Sequence, residues 1–81
     1  MTSPKNGAVL SLHPKKLLHT KWTAVSPKNR EKHFMVVALV EPAEEGQPVE
    51  WVEIEAVHSK RAQHIRCEDL KNASHWRQGW L

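Results

Sequence analysis

Ten cations and three indoles are the residues of this chain best suited to a single chemistry. Lys15, Lys16, Lys21, Lys28, Arg30 and Lys32 lie in the first half and Lys60, Arg61, Arg66 and Arg77 in the second, interspersed with Trp22, Trp76 and Trp80. Cations neutralise phosphates while indoles stack on bases, the combination small β domains use to hold single strands without reading sequence. The expected contacts for RNA or single-stranded DNA are therefore Lys15, Lys16, Lys21, Arg30, Lys32, Lys60, Arg61 and Arg66. A protein partner is the alternative, resting on Trp51, which alternation places on the same strand face as Glu53 and Glu55. An indole there gains an isolated monomer nothing obvious, so an accessory-subunit or adaptor role would account for it.

Other chemistries find little support. His58 and His64 on one straight strand would lie about 20 Å apart, too far to share an ion, and two histidines without a third ligand do not make a zinc site. Cys67, the only cysteine, falls on the predicted core face, where a thiol behaves as a small hydrophobe. Gly7, Gly46 and Gly79 are scattered and form no phosphate-cradling loop. The chain is therefore expected to be non-catalytic, with no metal and no cofactor. A lone cysteine excludes an intramolecular disulfide and suits a reducing compartment. With no apolar run near the roughly 20 residues of a membrane span, the expectation is a cytoplasmic protein with no membrane partner.

The net charge of +3 conceals a segmented pattern. Seven Lys or Arg face one acid up to His33, six Glu and no base fill Phe34 to Val57, and five bases face two acids thereafter. The acidic middle is expected to form a hairpin lying away from the basic surface, because side by side the two would cancel and leave no steering field.

The elements that must position these groups are mostly strands. Residues 1–12 read as a flexible tail and 13–81 as one small domain. Lys21 to Val25 is a strand candidate stopped by Pro27, and the run from His33 to Val40 reads as the central strand. Pro42 to Pro48 makes a turn, after which Val52, Ile54 and Ala56 alternate with polar residues. Four antiparallel strands are expected near 21–26, 33–41, 49–58 and 62–68. A short helix within 72–79 follows, capped by Asn72, with Trp76 and Trp80 spaced four apart. Such elements build a curved sheet or an SH3-like open barrel. Its expected core is Trp22, Phe34, Val36, Ala38, Val52, Ile54, Ala56, Ile65, Leu70 and Trp76.

His13-Pro14-Lys15-Lys16-Leu17-Leu18, Lys21-Trp22-Thr23-Ala24-Val25, Glu31-Lys32-His33-Phe34, Glu55-Ala56-Val57-His58-Ser59-Lys60-Arg61 and Trp76-Arg77-Gln78-Gly79-Trp80 occur in that order. Together they resemble a family of small tryptophan-rich bacterial proteins, known from cyanobacteria and proteobacteria, whose function is unassigned. The resemblance covers about residues 13 to 81 and implies a compact domain, with no activity, cofactor or catalytic residue attached.

Overall fold

A computed structural model of the protein describes residues 14–81. The tail expected at 1–12 lies outside them. One helical turn, α1 (Pro14–Leu17), precedes β1 (Lys21–Lys28), β2 (Glu31–Leu39), β3 (Trp51–Ala56) and β4 (Ala62–Arg66). A 3-10 turn at Cys67–Lys71 then leads to β5 (Trp76–Gln78).

The sheet is antiparallel, open and five-stranded, in the order β4-β3-β2-β1-β5. This corrects the expected count of four, and β5 occupies the segment where the C-terminal helix was expected. Local chemistry explains the change. The Asn72 side-chain oxygen accepts the Ser74 N–H at 2.9 Å, and its carbonyl accepts the N–H groups of His75 and Trp76 at 2.9 and 3.0 Å. Asn72 thus closes a turn instead of starting a helix. The chain leaves this turn beside β1, whose open edge takes Trp76 opposite Ala24 and Gln78 opposite Trp22. Pro27 does not stop β1, because the register shift between Thr23 and Lys28 relieves it of a ladder hydrogen bond.

β4 and β5 are opposite edges, so the connection between them must cross one face of the sheet, a distance of about 19 Å at the usual strand spacing. The crossing carries Cys67 and Leu70 onto that face, and α1 adds Leu17. Beneath them lie Trp22, Phe34, Val36, Val52, Ile54 and Ala56, all buried. Ile65 and Trp76 are partly buried and pack against this cluster. Ala38 is the exception among the expected core residues. An irregularity between Val36 and Ala38 sets Ala38 opposite Glu53 and Leu39 opposite Val52, so Leu39 takes the place against the core.

The two C-terminal indoles end on opposite faces. Trp76 meets Phe34 edge-on at 5.2 Å on the core face. After Gly79, whose φ of 89° is open to glycine at little cost, Trp80 folds over the other face and donates its indole N–H to the Phe34 carbonyl at 2.8 Å.

Candidate nucleic-acid interface

An up-and-down order of β1 to β4 puts the first and third turns at one end of the sheet and the second at the other. The first is the two-residue loop Asn29-Arg30, with Lys28 paired to Glu31. Both loop residues have positive φ, 56° and 62°, the type I′ geometry that matches strand twist and ordinarily favours Asn-Gly. The third turn runs from Val57 to Lys60, where Lys60 has a φ of 66° and donates its N–H to the Ala56 carbonyl at 2.8 Å. Each tip therefore holds a basic side chain in a left-handed conformation that costs a non-glycine residue about 1–2 kcal/mol.

A buried carboxylate ties the two tips together. Glu31, 6% exposed, accepts hydrogen bonds from Arg61 Nε at 3.0 Å and Nη2 at 2.5 Å, and from Ser59 Oγ at 2.5 Å. The hydrogen bonds from Arg61, then Ser59, outweigh the cost of burial and lower the Glu31 pKa to about 2. Arg61 is correspondingly stabilised as the cation.

The eight expected nucleic-acid contacts do not form one surface. Arg30, Lys32, Lys60 and Arg61 share the end just described, and Lys28 joins them there. Arg61 is paired with Glu31, although its side chain remains 58% exposed. Lys15 and Lys16, exposed on α1, lie at the opposite end, since α1 feeds the start of β1 and His19 donates to the Val36 carbonyl. Lys21 sits at that end too, its Nζ 4.8 Å from the centre of the Trp80 ring. Arg66 stands 4.7 Å over the Trp51 ring and 3.8 Å from Glu50. The grouping follows strand direction, which sequence position does not reveal, while the lone acid Glu31 in a basic segment was the available sign of an internal pair.

The acidic segment is split as well. Glu41, Glu44 and Glu45 belong to the second turn, remote from Arg30 and Lys60, whereas Glu53 contacts His64 at 3.1 Å and Glu50 approaches Arg66. Trp51 is 39% exposed on the face it shares with Glu53 and Glu55, as alternation requires. It borders a cleft of about 440 Å³ that includes Pro42, Glu44 and Glu50.

A second cleft, of about 510 Å³, opens beside the basic end. Phe34 and Trp76 line it with Lys28, Glu31, Arg61, Gln63, Asp69 and His75. Asp69 accepts hydrogen bonds from Trp76 Nε1 at 2.8 Å and from His75 Nδ1 at 2.9 Å. Burial pushes the Asp69 carboxyl up, but hydrogen bonds from His75 and Trp76 and the charge of His75 bring it below its ordinary value. Cys67 is buried and its pKa is raised chiefly by desolvation, the setting of an inert thiol. Among the described residues no three His, Cys, Asp or Glu side chains are grouped to hold a metal ion, and no helix is long and apolar enough to cross a membrane.

Trp22, Trp51, Trp76 and Trp80 thus all have defined places on this sheet, and the family model of Tryptophan-rich protein (DUF2389) matches residues 20–81. The chain belongs to that family. The match spans all five strands and the segment carrying all four tryptophans. No curated protein and no solved structure matches the chain.

Proposed function

We propose that this DUF2389 protein is a non-catalytic cytoplasmic module that binds RNA or single-stranded DNA through the end of the sheet bearing Lys28, Arg30, Lys32 and Lys60. One observation carries the reading. Two neighbouring turn tips spend left-handed backbone positions on Arg30 and Lys60, where glycine would be less strained. Strain of that kind clusters at functional sites. The Glu31 to Arg61 pair holds the two tips in a fixed relation, so the cations are arranged before a phosphate chain arrives. The acidic second turn lies at the far end and would orient an approaching polyanion. The strand order, with a 3-10 turn before the last strand, supports an SH3-like open barrel as the fold reading.

A second reading, a protein adaptor using Trp51, Glu53 and Glu55, is favoured by the exposed Trp51 beside its acidic cleft. Salt titration separates the two. If about four phosphates are engaged, the logarithm of affinity for single strands should fall against log salt with a slope of about −3. Replacing both Arg30 and Lys60 by Ala should flatten the slope by about 1.4, while replacing Lys15 and Lys16 should leave it unchanged. If the tagged protein retains no nucleic acid at low salt yet holds one protein at stoichiometric yield after nuclease treatment, the adaptor reading replaces this one.

A further inference from the structure

The geometry points to the cleft beside the basic end as a receptor for a single unstacked nucleobase, with its phosphate left at the rim; this rests on the nucleic-acid reading above. Trp76 is the reason to look there. Its indole is only partly buried, yet Asp69 holds its N–H at 2.8 Å and Phe34 meets it edge-on at 5.2 Å with planes at 89°. A partly exposed ring pinned on two sides is an aromatic wall already ordered, so a flat ligand meets little entropic cost on stacking there. The cleft's 510 Å³ falls within the range that takes small organic ligands.

Charge decides which part of a nucleotide enters. Glu31 and Asp69 both line the cleft and are ionised at neutral pH, one with its pKa near 2 and the other below its usual value. Glu31 is paired with Arg61, and Asp69 with His75 and the Trp76 N–H, all of them in the cleft lining, so the interior offers a phosphate no uncommitted cation, and a neutral base needs none. Lys28, at the mouth of the first turn, is the cation left to meet the phosphate. Gln63 lies on the core-facing side of the edge strand β4, opposite Ile54. Its carboxamide both donates and accepts, which is what the edge of a base requires. The same chemistry arrives as a free nucleotide or as one base of a strand lying over Arg30 and Lys60.

Titrating ¹⁵N-labelled protein with AMP, GMP, CMP, UMP and inorganic phosphate, then with ten-residue single-stranded RNAs at low salt, tests the cleft. At least one nucleotide should shift both the Trp76 indole N–H and the Gln63 side-chain amide, and phosphate alone should shift neither. Gln63→Leu, on an exposed edge position, should weaken that nucleotide and the matching RNA about five- to tenfold, the loss of one hydrogen bond. Arg30→Ala with Lys60→Ala should weaken the RNA and spare the free nucleotide. RNA that binds Gln63→Leu as well as the native protein, with no nucleotide moving either signal, overturns the cleft and leaves the basic end standing. A nucleotide that binds while RNA does not would keep the cleft and remove the strand-binding reading. Binding of neither removes both.

Discussion

Arg61 and Glu31, thirty residues apart in the chain, meet through two nitrogens and two oxygens and thereby join the first and third turns of the sheet. The arrangement makes one end of the molecule both rigid and basic, because the buried member of the pair is the acid and the exposed members around it are cations.

The pair sets a pH dependence. Glu31 is held at about 2 in the folded protein against an ordinary value of 4.5, so its contribution is full above about 4.5 and is lost as pH falls toward 2. Comparing melting temperatures of the native protein and Glu31→Gln across that range should show the largest gap at neutral pH and a shrinking one below 4.5. A gap independent of pH would show that the carboxylate charge is not what stabilises the turns.

Trp22 is 1% exposed and donates its indole N–H to Thr20 Oγ1 at 2.8 Å. Trp22→Ala should cost about 3–5 kcal/mol, a large part of the roughly 4–12 kcal/mol available to a chain of this length. Trp76→Ala, at a partly buried position, should cost less, about 2–4 kcal/mol. Urea denaturation of both variants orders them. Equal losses would mean that the C-terminal strand is as deeply packed as β1.

Thr23 closes the chain end onto the sheet, donating to the Gly79 carbonyl at 2.6 Å and accepting the Leu81 N–H at 3.0 Å. Thr23→Val keeps the shape and removes both bonds, a loss of about 1–2 kcal/mol. Hydrogen exchange at the Trp80 indole N–H should accelerate about 5- to 30-fold. Unchanged exchange would mean that the bond to the Phe34 carbonyl suffices to hold the ring.

Arg30→Gly should raise stability and lower nucleic-acid affinity together. Relief of the left-handed position is worth about 1–2 kcal/mol and glycine's added entropy removes about 0.5–1 of it, so the net gain is about 0–1.5 kcal/mol. Thermal melts and a salt titration on the same variant read both sides. A gain in stability with no loss of binding would remove Arg30 from the interface.

Alternation in β3 and the apolar run of β2 were enough to place Val36, Val52, Ile54 and Ala56 in the core, because a strand's period of two is written in its residues. Trp22 and Phe34 as core residues, and the place of Trp51 on the face of Glu53 and Glu55, were legible for the same reason, whereas the exposure of Trp51 was not. The fate of the last ten residues was not. A spacing of four between Trp76 and Trp80 suits one helix face, but the open edge of β1 recruited Trp76–Gln78 as a strand and Gly79 sent Trp80 to the opposite face. Strand direction likewise decided which cations meet. Lys15 and Lys32 are neighbours in charge pattern and lie at opposite ends of the sheet, while Arg30 and Lys60 are brought to one end by two reversals of the chain. Composition and local period depend on the residues themselves, whereas edge pairing and the gathering of charges depend on hydrogen bonds between segments far apart, which only the folded chain brings within reach.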